Sequence, residues 1–157
     1  MDMKRAIFLS VICVLVLVPV RAKAASQAIY DENANAHQQI AAAIAQASKT
    51  GKNIALDFGA NWCPDCHALD SQMHNPELAK LIAKNYVMVH IDVGRFDKNI
   101  DIAKKYGVPI QHGIPAVAIL DSHGKLLFAQ DQGQFADARS MTYDSFLEFF
   151  KKWQPER

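Results

Sequence analysis

The sequence predicts an α/β fold, and three observations carry that reading. Two runs with apolar residues at every second position, Asn53 to Phe58 and Val87 to Val93, are separated by segments of helical character. A short apolar run, Ala116 to Asp121, leads through the turn Ser122-His123-Gly124 into Lys125 to Ala129, which pairs back as a hairpin. Phe146, Phe149, Phe150 and Trp153 then recur at helical spacing and give a last helix its apolar face. The order is a β/α unit, a hairpin and a covering helix.

The elements follow from the N-terminus. Lys4 and Arg5 precede an apolar run from Ala6 to Val20, and Ala22-Lys23-Ala24 places small residues where a signal peptidase reads. Residues 1–24 are therefore expected to be a signal peptide, cleaved after Ala24, and residues 25–157 one domain. The run is shorter than the ~20 apolar residues of a membrane-spanning helix, while Arg21 and Lys23 leave an uncleaved anchor open. Cys13 would leave with this leader. Without it, the 17 basic and 16 acidic residues become 13 and 15. That near-neutral balance offers no basic field to nucleic acid and no polybasic stretch to a membrane surface. A chain half hydrophobic and poor in glycine and proline is not of disordered composition.

Ile40, Ala41, Ile44 and Ala47 predict a first helix over about Ala34 to Lys49, stopped by Gly51. In the strand that follows, Ile54, Leu56 and Phe58 share one face and Ala55 and Asp57 the other. It runs directly into Trp62-Cys63-Pro64-Asp65-Cys66-His67, so Cys63 sits at a strand-to-helix transition. Pro64 to Met73 reads as a helix, and Pro76 suits the first turn of another. A strand over Val87 to Val93 precedes a helix from about Lys98 to Tyr106, ended by Gly107.

Cys63 and Cys66, spaced C-x-x-C, can close a small disulfide and open it by exchange. They are the only cysteines of the expected mature chain, so no separate disulfide framework explains them. Two other uses stay open: half of a zinc or copper site with His67, and a structural crosslink. Zinc wants about four ligands, and closing so short a loop removes little chain entropy.

Asp57-Phe58, Trp62-Cys63-Pro64-Asp65-Cys66 and Gly113-Ile114-Pro115, in that order within the β/α pattern, resemble the thioredoxin superfamily over about residues 50–153. The likeness is greatest to its secreted bacterial branch, including the periplasmic thioredoxin-like domain of the DsbD-type electron conductor. It implies a thioredoxin fold, a central mixed sheet flanked by helices, and a thiol:disulfide oxidoreductase. Cys63 would be the nucleophile, Cys66 the resolving thiol and Asp57 the proton-transfer group. Pro115 would be cis after Ile114, leaving the Ile114 backbone free for an extended substrate, with Trp62 at the rim or, alternatively, in the core. No cofactor beyond the Cys63–Cys66 disulfide is implied.

The chemistry agrees with that assignment. At a helix N-terminus, unpaired N–H groups and the macrodipole favour a Cys63 thiolate, and Pro64 holds the first turn. Cys66, one turn inside, should be shielded. Asp65 opposes the thiolate: a carboxylate about 7 Å away raises its energy by on the order of 1 to 2 kcal/mol and tilts the couple towards a reductant. We expect a periplasmic, monomeric disulfide reductase of protein substrates, recharged by a DsbD-type membrane donor. The alternatives are a thiol oxidase or isomerase, and a cysteine-based copper or zinc module. Two departures from the family stand out. Met88 aligns with its strand lysine, and the stretches Val108 to His112 and Gln134 to Met141 are longer and should flank the groove. His67, His112 and His123 receive no role.

Overall fold

Asn35 caps the first helix by accepting the Gln38 N–H, and α1 (Ala36–Thr50) ends at Gly51, whose N–H returns to the Ala47 carbonyl. The computed structural model describes residues 28–156. The expected leader and Cys13 lie outside the described residues. Then come β1 (Asn53–Gly59), α2 (Pro64–Met73), α3 (Pro76–Asn85) and β2 (Tyr86–Asp92). A short α4 (Ile100–Lys105), β3 (Ala116–Leu120), β4 (Leu126–Ala129) and α5 (Tyr143–Lys152) complete the chain.

The strands form one mixed sheet in the order β2-β1-β3-β4, with β1 parallel to β2 and antiparallel to β3. This is the thioredoxin fold. Every residue of β1 is buried, because helices cover both faces of the central strands. Alternation divides its side chains between two cores. Ile54, Leu56 and Phe58 meet α1 through Ile40, Ala43 and Ala47. Ala55 joins Leu69, Leu78, Ile82 and the α5 residues Phe146 and Phe150 on the other side. Each large apolar side chain so buried contributes roughly 1.5–3 kcal/mol relative to exposure.

One predicted element shrinks. The helix expected over Lys98 to Tyr106 begins only at Ile100, because Phe96 and Asn99 take left-handed φ values of 65° and 53°. Asn99 donates its side-chain amide to the Asp92 carbonyl at 2.7 Å, and Lys98 Nζ bonds Asp92 Oδ2 at 2.9 Å. Those bonds hold a tight turn off the end of β2 where helical periodicity alone suggests helix. The two longer stretches each contain a 3-10 turn, Ile110–His112 and Ala138–Ser140. They touch beside the site: a Cβ on Gly113, at φ 120°, would fall 2.5 Å from the Ala136 Cβ.

Candidate active site

Strand β1 delivers the chain to a tight turn in which the Cys63 N–H bonds the Ala60 carbonyl at 3.0 Å. Cys63 is the N-cap of α2. Its sulfur accepts the Cys66 N–H at 3.2 Å, the bond a serine or aspartate oxygen makes at other helix starts. Pro64 occupies the first helical position, where no amide hydrogen is needed. From the opposite side comes the Ile114–Pro115 bond, which is cis, and the Cys63 thiol donates to the Ile114 carbonyl at 3.4 Å. Cys63 and Cys66 are both free and buried.

The two thiols are made unequal by position. A hydrogen bond from the Cys66 thiol, with the N–H groups of Cys66 and Asp65, lowers Cys63 to about 7 against burial and the Asp65 charge. The same thiol–thiol bond, together with burial and the charge of Asp57, pushes Cys66 upward. The proton is thus held on the inner sulfur.

Asp65 differs from its expected role as an open opposing charge. Its Oδ1 accepts both the backbone N–H of Arg139 at 2.9 Å and the side-chain Nε at 3.1 Å. Burial pushes this carboxyl up, but the two bonds and the guanidinium charge outweigh it and hold Asp65 below the usual carboxylate range. Its charge is therefore largely compensated, and its tilt on Cys63 is smaller than sequence spacing alone suggests. The partner lies in the longer stretch Gln134 to Met141, which sequence reading treats as a groove-side loop. Alkylation of reduced Cys63 by iodoacetamide should follow the thiolate fraction, rising with pH through a midpoint near 7. In Arg139→Gln the midpoint should move up by about half a pKa unit, since the Asp65 charge loses its counter-ion. An unmoved midpoint would show that Arg139 does not tune the thiol.

Asp57 is buried at 1% exposure, and its neighbour across the strand pair is His90 rather than Met88. Strand β2 begins with Tyr86 opposite Asn53, so Met88 faces Ala55 and His90 faces Asp57. His90 Nδ1 lies 2.9 Å from Asp57 Oδ2, and the Tyr30 hydroxyl donates to the same oxygen at 2.9 Å. Asp57 Oδ1 is buried with no partner among the described residues. Neither Tyr30 nor His90 is marked by a local motif. Their only sequence signal is that His90 shares the two-residue period of β2 with Met88.

The remaining expectations resolve simply. Trp62 is 45% exposed, so the core alternative fails. Its Nε1 donates to the Gly94 carbonyl at 2.8 Å, Phe96 packs edge-on, and the Arg95 guanidinium lies 5.5 Å from its ring centroid. His67 Nε2 pairs with the Asn61 carbonyl at 2.7 Å, and Asn61 in turn accepts the Ile29 and Tyr30 N–H groups. His112 Nδ1 pairs with the Asp131 carbonyl, and His123 is a turn residue over Asp121. Among the described residues no group of three or more His, Cys, Asp or Glu could hold a metal ion.

A C-x-x-C helix cap facing a cis-proline on this mixed sheet defines a thiol:disulfide oxidoreductase of thioredoxin fold. The chain belongs to the thioredoxin-like family, matched over residues 35–122. It is similar to a structure described as a disulphide isomerase from Xylella fastidiosa, with 44% identity and a TM-score of 0.78, covering 82% of this chain and 98% of that one. The C-terminal domain of Neisseria meningitidis DsbD in its oxidised form shares the fold at 22% identity and a TM-score of 0.54, over 77% of this chain and 97% of that chain. A chloroplastic thioredoxin-like protein of Oryza sativa subsp. japonica is 30% identical over 79 residues, 50% of this chain. That match spans only 28% of the rice protein's length.

Proposed function

We propose that this protein is a periplasmic disulfide reductase of other proteins. The observation that carries the reading is the Cys63 sulfur, capped by the Cys66 N–H beside cis-Pro115 and lowered to about 7. That value is close to thioredoxin's and far from the ~3.5 of a strongly oxidising thiol. The Cys63 thiolate attacks one sulfur of a partner disulfide and expels the other as a thiolate, giving a mixed disulfide. Cys66 then loses its proton and attacks the Cys63 sulfur. The Cys63–Cys66 disulfide closes, the partner leaves as a dithiol, and two electrons pass to it. The Ile114 backbone pairs with the extended partner segment, Trp62 provides the apolar rim, and the loops 108–112 and 134–141 restrict which partners fit.

The chain works as a monomer after removal of residues 1–24. A membrane donor of DsbD type returns the electrons, because the periplasm is kept oxidising. The deciding measurement is the reduction potential of Cys63 and Cys66 against glutathione, with Cys63→Ser as control. A value near or below about −230 mV supports the reductase. A value of about −120 to −180 mV replaces it with an oxidase or isomerase.

Isomerase activity is the second reading, favoured by the 44% identical neighbour described as a disulphide isomerase. It requires that the protein recover activity in a scrambled multi-disulfide substrate without net reduction. A metal module is disfavoured, since His67 is committed to Asn61 and the two thiols find no third ligand among the described residues.

A further inference from the structure

The resolving step needs the Cys66 proton to leave, yet Cys66 is 1% exposed and the pull of its neighbours keeps it protonated. Solvent does not reach this sulfur, so an internal acceptor has to. We propose that His90 is the positioning residue that connects Asp57, the expected acceptor of the Cys66 proton, to solvent, while Tyr30 holds the same Asp57 oxygen from the other side. The inference rests on the exchange chemistry proposed above.

Three features of the cluster support it. First, Gly59 brings the parts together. A Cβ there would collide with the Tyr30 hydroxyl and lie 2.9 Å from the Cys66 sulfur, so both groups fill the space that glycine leaves. Second, Tyr30 and His90 both engage Oδ2 of Asp57 and leave Oδ1 as a buried acceptor without a donor among the described residues. An unpaired buried carboxylate oxygen costs free energy unless another state of the molecule uses it. Third, the His90 ring stands edge-on to Tyr30 with centroids 5.8 Å apart, and its side chain remains 30% exposed. It opens on a cavity of about 260 Å³ lined by Ala28, Ile29, Asp70 and His74.

The charged and titratable groups around His90 are Asp57 from β1, Asp70 and His74 at the end of α2, and Tyr30 and Asp31 from the segment before α1. Burial pushes the His90 ring down, but the bond and charge of Asp57, with Asp70, outweigh it and hold the ring above its ordinary value. An imidazole is suited to this place because it changes charge near neutral pH. In the step itself the S–H proton of Cys66 passes to Asp57 Oδ1, and the Cys66 thiolate displaces the partner's sulfur from Cys63. His90 gives up its Nε2 proton to water beforehand, so the pair then carries one negative charge and is the form that accepts the Cys66 proton, which makes resolution faster as pH rises through the ring's midpoint.

The test follows a purified mixed disulfide between Cys63 and a cysteine-containing peptide, timed as it resolves between pH 5.5 and 9. In the parent protein the rate should rise with pH through a midpoint above 6.5, the ordinary value of the ring. His90→Ala should slow resolution about tenfold near pH 7 and lose that limb. Added imidazole, small enough for the vacated cavity, should restore it. Iodoacetamide alkylation of Cys63 should keep its midpoint, which separates the path from the nucleophile. A His90→Ala protein that resolves at the parent rate with the parent pH profile overturns the path, as does slowed resolution that imidazole leaves untouched. A parent protein that forms no mixed disulfide defeats the exchange reading itself.

Discussion

Cys66→Ser should turn the protein into a trap, accumulating a covalent complex with its partner that only added thiol releases. The reason is geometric. Serine keeps the backbone N–H that caps the Cys63 sulfur at 3.2 Å and keeps a hydroxyl donor in place of the thiol, so attack on a disulfide continues. What is lost is the second sulfur that would displace the partner. Cys63→Ser should form no such complex and should reduce insulin only at the uncatalysed rate. Mass spectrometry after non-reducing separation decides between them. Complex forming through Cys66 in the Cys63→Ser protein would reverse the assignment of the two thiols.

Phe146→Ala should cost about 3–5 kcal/mol, enough to threaten a domain whose total stability is of the order of 5–15 kcal/mol. Phe146 is fully buried in α5 and stacks on Phe135 with centroids 5.9 Å apart. Phe135 belongs to the loop that carries Arg139 to Asp65, so the same ring supports both the core and the site's counter-ion. Phe146→Leu retains most of the volume and should cost less than about 1.5 kcal/mol. Denaturant unfolding of both variants checks the ratio. Equal losses would mean that the position tolerates a cavity and that α5 is not anchored by this ring.

The residues differ in how far they can be read from the chain. Strand β1 and the start of α2 are legible because their signals lie within a few residues: alternation from Asn53 to Phe58, then a capping sulfur followed by proline. The cis bond before Pro115 was expected from Gly113-Ile114-Pro115 and its order after the cysteines. The length of α4 was not, since side-chain bonds from Lys98 and Asn99 back to Asp92 decide where that helix begins. The place of His90 opposite Asp57 is not legible, because a two-residue period is satisfied equally by Met88 and His90, and only the pairing of Tyr86 with Asn53 chooses between them.

By itself the sequence determined the alternation of elements, the helix-capping place of Cys63 and the inequality of the two thiols, all of which arise from neighbouring residues. The tertiary structure alone decided what surrounds the carboxylates. Arg139 reaches Asp65 across 74 positions, His90 reaches Asp57 across 33, and Tyr30 reaches it across 27. Such pairings have no local period to announce them. They exist because strand register and loop docking carry distant groups into one low-dielectric space, where a carboxylate must find a partner or carry a proton.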